Sequence, residues 1–383
     1  MRTDRPDEPA VVDAAATKVA AYLHVPFCRR LCPYCDFAVQ VGGDIDRYVA
    51  AVLAEVDAAE PFDRPLDAVY LGGGTPTSLP TEALHGLLER VAQRFGIAAD
   101  AEVSLEANPE DVTADAAAAW RAAGFNRISL GVQSLHPPTL VALGRGHDAA
   151  TARSALQTAR DAFPSVNADL IFGTPGDDGW DESVAGVLAA GVDHLSVYAL
   201  TVERGTALSR AVAAGAPAPD PDVQAEAYLV AESATTAAGL VRYETSNYAR
   251  PGHGCVYNLV TWAQGEYAAF GNGAHRHRAG ERSWNVRRVD RYTERALAGE
   301  TPVAGSERLD RWGREVERVM LGLRRSAGVR AGVAGASLLA APEGERLVAA
   351  GVLGEAGDRI VVTRPLLGDA VTRALLALDP GEC

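Results

Sequence analysis

Through the first half of the chain, short β-rich runs alternate with amphipathic helical stretches, and this alternation limits the fold more than any other feature. The strand candidates are Val19–Val25, Leu66–Leu71, Ala101–Leu105, Asn126–Gly131, Asn167–Phe172 and His194–Leu200. Between them, Asp46–Glu60 places Val49, Val52, Leu53 and Val56 at helical spacing, and Glu82–Phe95 does the same with Leu84, Leu87, Leu88 and Val91. Thr113 can cap Ala114–Ala123, which ends before Gly124; Asp148 can cap Ala149–Phe163; Trp180–Ala190 stops before Gly191. Strand–helix alternation argues for a parallel α/β sheet. Six units suit a partial (β/α)6 barrel, with a doubly wound sheet as the alternative. In barrels, chemistry collects at the C-terminal ends of the strands.

Residues 1–18 read as a mobile N-terminal tail, and the barrel is expected over residues 19–240. Gly215–Asp222 reads as a turn or lid, followed by a helix over Val223–Ala238. A Gly- and aromatic-rich stretch, Tyr243 to about Trp284, belongs to an extension over residues 241–305 that completes the site. Beyond it the pattern is helix (Leu309–Arg325), helix (Leu338–Ala350), then a hairpin over Gly351–Thr363 turning at Gly357-Asp358. Residues 306–383 are therefore expected to form a small α+β, winged-helix-like C-terminal domain, without a clearly basic recognition helix.

The net charge of −14 argues against nucleic-acid binding, which needs a basic face. The Arg-rich stretch Arg276 to Arg295 is either a solvated surface or a local anion pocket. No apolar run approaches the ~20 residues of a membrane span, and Met1 to Lys18 lacks the apolar core of a signal peptide. The expected compartment is the cytoplasm. Five cysteines in 383 residues make no disulfide scaffold. Cys255 and Cys383 stand alone. The other three lie together, as clusters for metal or redox chemistry do.

That cluster reads Tyr22-Leu23-His24-Val25-Pro26-Phe27-Cys28, then Cys32-Pro33-Tyr34-Cys35-Asp36-Phe37, a CxxxCxxC spacing directly after the first strand. Thiolates on one loop can wrap an iron–sulfur cluster. Three of them leave one iron of a four-iron cube open, and an open coordination position is what a substrate or cofactor needs. From the residues alone, a zinc site completed by His24 is the alternative, as are three unrelated thiols.

CxxxCxxC after the first strand of a β/α barrel resembles the radical SAM superfamily. The strings YLHVPFC and CPYCDF are similar to its coproporphyrinogen III oxidase-like group, as are GGGTPTSL at Gly72–Leu79, EANP at Glu106–Pro109, GVQS at Gly131–Ser134, DLIFGTPG at Asp169–Gly176, GNGAH at Gly271–His275 and MLGLR at Met320–Arg324. The resemblance implies a 4Fe–4S cluster on Cys28, Cys32 and Cys35 and S-adenosyl-L-methionine on its open iron. It implies that Gly73, Gly74 and Thr75 meet the methionine amino end. Glu106, Gln133, Arg145 and Asp169 would hold the cofactor's polar groups, Arg145 by pairing with its carboxylate, and Tyr22 and Ala199 would lie close to it. An electron from a donor protein would cleave the sulfonium and release a 5′-deoxyadenosyl radical.

Within that group the resemblance leaves two activities: oxidative decarboxylation of a porphyrinogen, and a chaperone branch that binds haem and passes it to a client protein. The decarboxylating members carry a further Cys where this chain has Phe37, and a longer N-terminal segment; here about twenty residues precede the first strand. CPYCDF and MLGLR look like the chaperone branch. Its HNxxYW motif is matched only at Asn258 and Trp262, with Tyr257 where the His stands. Candidate ligands for haem iron are therefore Tyr257, His253, Cys255 and His275. A module that keeps cluster and cofactor without turnover is a third expectation.

Overall fold

The computed structural model describes residues 5–378. Cys383 and the first four residues of the expected tail lie outside them. All six expected strands are present: β1 (Val19–Val25), β2 (Leu66–Gly73), β3 (Ile97–Ala107), β4 (Arg127–Gln133), β5 (Ser165–Phe172) and β6 (His194–Ala199). A further strand, β7 (Glu266–Phe270), pairs parallel with β1 on the side away from β2. The parallel order is β7-β1-β2-β3-β4-β5-β6, so each of β1 to β6 lies beside its sequence neighbour. A doubly wound sheet would reverse direction at a switch point; this one winds one way, as a barrel does. Antiparallel strands extend both edges: Asn247–Ala249 and Val241–Arg242 beyond β6, and His275–Arg278, Glu281–Asn285 and Val303–Arg308 beyond β7. The twelve-stranded sheet stays open, because its two edges do not pair.

Side chains alternate across a strand, and here the alternation divides the sheet into two chemistries. Leu23, Val25, Val69, Leu71, Leu105, Ile128, Leu130, Leu170 and Val197 face outward and share one apolar core with Val52 and Val56, Leu84 and Leu87, Leu156 and Val184 of the surrounding helices. Tyr22, Tyr70, Glu106, Ser129, Asn167, Asp169, His194 and Ser196 face a central cavity. The helices form where their periodicity places them: Ile45–Ala58, Thr81–Phe95, Ala114–Ala122, Ala149–Ala162, Trp180–Ala189 and Pro221–Ala237. Thr113 Oγ1 accepts from Ala116 N at 3.1 Å and Asp148 Oδ1 from Thr151 N at 2.8 Å, satisfying amides that the first helical turn leaves free.

Two expectations require correction. The described part of the N-terminal segment is not a mobile tail. Pro9–Ala15 forms a helix with Val12 and Ala15 buried against Tyr243, Ala249 and Leu259. Asp13 receives Arg359 at 3.0 Å and Arg330 at 2.8 Å from the C-terminal region. A charged composition had hidden one short apolar stripe. The helix expected over Leu338–Ala350 is two helices, Gly332–Ala340 and Pro342–Ala349, because Pro342 lacks the N–H that a helix interior needs but suits a first turn. With helix Arg311–Gly322 and the hairpin Leu353–Ala356/Arg359–Val362 they enclose a separate core of Val319, Leu338, Leu353, Ile360 and Leu375. No helix among the described residues is long and apolar enough to cross a membrane.

One carboxylate ties the parallel sheet to its antiparallel extension. Buried Glu55, on helix Ile45–Ala58, accepts from Gly271 N (2.9 Å), Tyr292 Oη (2.7 Å) and Asn285 Nδ2 (2.8 Å), and pairs with Arg276 at 3.2 Å. Removing one side of such a network strands the other. Glu55→Ala is expected to cost about 3 kcal/mol in urea unfolding followed by far-UV circular dichroism; Val49→Ala, on the same helix, should cost less.

Candidate active site in the barrel mouth

The cavity has a volume of about 660 Å³ and is lined by all twelve residues expected at the site: Tyr22, Cys28, Cys32, Cys35, Gly73, Gly74, Thr75, Glu106, Gln133, Arg145, Asp169 and Ala199. Strand ends and the loop after β1 bring them together. That loop leaves β1 and returns to pair Phe27–Cys28 with Gln40–Val41, so residues 28–40 form a closed excursion over the barrel mouth. The three cysteines on it are free and half-buried. Burial pushes the Cys28 thiol up to about 11 and raises that of Cys35, so these two thiols are protonated at neutral pH and metal binding to them must release protons.

His24 is not placed to complete a zinc site. Its Nε2 engages the Ala38 carbonyl at 3.0 Å and its Nδ1 the Tyr22 hydroxyl at 3.1 Å, and burial lowers its pKa to about 4. Among the described residues, no three His, Cys, Asp or Glu side chains gather as for a single metal ion. Thiols spaced along one loop suit a cluster, whose irons stand apart.

The glycines after β2 have a specific steric reason. Gly74 N donates to Val25 O at 2.7 Å and Thr75 N to Phe27 O at 2.8 Å, so this turn lies against the backbone leading into Cys28. A Cβ on Gly74 would fall 2.8 Å from Val25 O and 2.9 Å from Phe27 O. Gly73 adopts φ +113°, and a Cβ there would meet the His24 ring at 2.4 Å.

Opposite the cysteine loop, Glu106 accepts from Tyr70 Oη (2.8 Å) and Gly73 N (3.0 Å). Burial, with Asp169 near it, pushes the Glu106 carboxyl up to about 7. Burial also raises Asp169, against hydrogen bonds from Ser129 (3.0 Å) and Asn167 (2.8 Å). Two carboxyls that resist ionising thus share the cavity, with Arg127 in its wall acting the other way on Asp169. Arg145 spends its guanidinium on Asn108 Oδ1 (2.6 Å), Gly131 O (2.9 Å) and Cys32 Sγ (3.4 Å), while its buried Nε has no partner. Gln133 ends β4 at φ +64°, a left-handed conformation uncommon for non-glycine residues.

The candidate haem ligands are scattered. Helix Val256–Trp262 closes the other end of the barrel, with Val256 and Val260 against Ala20 and Ala68, and Val256 N donating to Glu102 at 2.9 Å. Tyr257 on it stacks on Tyr22 (5.7 Å between ring centres) and Tyr70 (5.3 Å), and burial holds its phenol well above the usual range. Cys255 is buried and raised by that burial, and His253 is buried with Nδ1 on Ser165 Oγ at 3.1 Å. His275 lies apart, exposed, stacked on Trp284. Sequence reasoning missed Tyr70 and Asn108. Strand alternation places Tyr70 on the face of Gly72, and Asn108 sits inside the EANP string; Asn108 joins Arg145 to Thr75 (3.0 Å).

An open one-way β/α barrel with a three-cysteine loop over its mouth defines a radical SAM protein, and the radical SAM superfamily profile matches residues 22–187. The heme chaperone HemW of Mycobacterium tuberculosis (strain H37Rv) is 44% identical over 382 residues, covering 96% of this chain and 97% of that protein. The heme chaperone HemW of Synechocystis sp. is 37% identical, covering 81% of this chain and 79% of that one. Among solved structures, coproporphyrinogen III oxidase (HemN) from Escherichia coli, a radical SAM enzyme, superposes with a TM-score of 0.79 at 22% identity, over 96% of this chain and 93% of that one. The chain belongs to the HemW family of the radical SAM superfamily.

The raised Glu106 pKa makes a signed prediction. The folded state keeps a proton that the unfolded chain releases near 4.5, so this group's contribution to stability falls as pH rises from about 4.5 through about 7. Glu106→Gln, which mimics the protonated form, should raise Tm relative to the parent at pH 8 and lose that advantage near pH 5. A Tm difference independent of pH would contradict the assignment.

Proposed function

We propose that this protein carries a 4Fe–4S cluster on Cys28, Cys32 and Cys35, binds S-adenosyl-L-methionine beside it, and serves in the cytoplasm as a chaperone that delivers haem to client proteins. The observation that carries the reading is the pairing, in one cavity, of three free cysteines on a single loop with the buried carboxyls of Glu106 and Asp169. A sulfonium cation adds positive charge beside those carboxyls and favours their ionised forms. The relatives named heme chaperones support the haem assignment.

In this reading Gly73, Gly74 and Thr75 receive the amino end of the cofactor, where the absence of side chains permits close approach. Arg145 turns its unpartnered Nε to the carboxylate. Gln133 and Ala199 offer the ends of β4 and β6, and Tyr22 walls the cavity. When bound, cluster and cofactor supply reductive cleavage of the sulfonium bond. The protein orients them, and the stack of Tyr22, Tyr70 and Tyr257 above the closing helix keeps water out from below. The electron comes from a donor protein. The free thiols fit reducing surroundings.

Anaerobic reconstitution tests this. Wild type and Cys255→Ala should both take up the brown iron–sulfur chromophore, whereas Cys28→Ala, with two ligands left, should lose it. Protein that takes up zinc in place of iron and sulfide would refute the cluster assignment. Reduced protein with S-adenosylmethionine, assayed for 5′-deoxyadenosine with and without coproporphyrinogen III, separates the activities: the chaperone reading expects haem uptake and no decarboxylation, and decarboxylated product would assign the dehydrogenase.

A further inference from the structure

We infer that haem iron is ligated by His275, on the inner face of the hairpin beyond β7, with Trp284 packed on the ligating imidazole and Arg287 on a propionate. The inference rests on the haem reading above and concerns where the cargo sits.

In the reading above, the cavity of about 660 Å³ holds both the cluster and S-adenosylmethionine, so a metalloporphyrin needs another surface. Three of the four candidate ligands are withdrawn from any such surface. Tyr257 is locked in a stack of rings, Cys255 is 2% exposed, and His253 is buried under the barrel with Nδ1 engaged. His275 alone of the four is exposed.

Strand register fixes its position. Tyr22 pairs with Ala269 and Tyr267 with His277. His275 therefore lies two residues along from His277, on the same face, at the level of Tyr22 but outside the cavity. Its ring stacks on Trp284 at 5.8 Å and 23°, and neither ring nitrogen is hydrogen-bonded to a described residue. Burial, with Arg282 and Arg287 nearby, lowers the imidazole from its ordinary value, leaving it neutral at pH 7 with a lone pair for iron.

The cysteine loop runs against the root of this hairpin. Asn272 Nδ2 donates to Ala38 O (2.9 Å) and Arg287 O (3.0 Å), and Arg287 donates to Asp36 O. Phe37, between Asp36 and Ala38, is 63% exposed. Arg287 is exposed and makes no ion pair among the described residues, so its charge is uncompensated. Haem is a flat apolar ring with two carboxylates and an iron that takes an axial imidazole. An exposed guanidinium without a carboxylate partner and an exposed imidazole with no hydrogen bond among the described residues, backed by Trp284, match the propionate and the iron.

Haem titration of the reconstituted full chain, read as the Soret difference spectrum and as EPR of the ferric form, tests this. Wild type should show a histidine-ligated spectrum. His275→Gly should weaken binding roughly tenfold or more and lose that spectrum, and added imidazole should restore it; the rescue separates lost ligation from misfolding. Arg287→Gln should weaken binding a few-fold with the spectrum unchanged, and Tyr257→Phe should change neither. Unaltered affinity and spectrum in His275→Gly, or loss of the spectrum in Tyr257→Phe, would overturn the ligand assignment and leave the haem reading standing. Wild type that takes up no stoichiometric haem would bring down both.

Discussion

The structure depends on the inner faces of its parallel strands being polar. A filled β/α barrel packs branched apolar side chains into its centre. Here β3, β4, β5 and β6 point Glu106, Ser129, Asn167, Asp169, His194 and Ser196 inward instead. Buried polar groups must be hydrogen-bonded, and most of these form a continuous network: Ser129 and Asn167 on Asp169, His194 on Asn167 (2.6 Å) and on Tyr243 (2.8 Å). A network of this kind cannot collapse as an apolar core would. It keeps a cavity open at the mouth and leaves the barrel needing a plug at the other end, which helix Val256–Trp262 and the N-terminal helix provide.

The same constraint sets the electrostatics. Carboxyls held in a partly dry cavity stay protonated more readily, and a further cation entering the cavity opposes that preference. The cysteine loop is positioned with little tolerance, since it rests through Gly74 and Thr75 on the backbone of β2's turn. The buried carboxyls and the loop thiols are thus referenced to one pair of strands, with Glu106 bound to Gly73 on one side and Cys28 two residues beyond the Pro26 that starts the loop on the other.

Much of this was legible in the sequence because it is local. Strand period, helix period, Thr113 and Asp148 as caps, and CxxxCxxC after a strand are all written within a few residues. What was not legible is long-range. β7 is five residues between Gly265 and Gly271, and it pairs with a strand at the opposite end of the chain; no turn or hairpin signal announces it. The ordering of Pro9–Ala15 depends on Arg330 and Arg359, more than three hundred residues away. The site residues were readable because strand ends carry them. The consequences of burial were not: Tyr257 occupies the position a motif marks for a ligand, yet the helix that carries it turns the phenol into the barrel rather than toward a surface.

The sheet that turns Tyr257 inward also extends beyond the barrel, and so offers two separate faces. β7 adds to β1 on the side away from β2, so the sheet's concave face continues past the barrel onto the antiparallel strands. Inside the barrel this face carries Glu106 and Asp169 with Arg127 and Arg145 around one cavity. Beyond β7 it is open and carries His275 and Trp284 with arginines around them. Glu55 joins the two parts by holding both Gly271, at the end of β7, and Asn285, in the hairpin. The cysteine loop and the hairpin root meet directly where Asn272 donates to Ala38 O, so the cavity mouth and the proposed haem surface adjoin along one sheet.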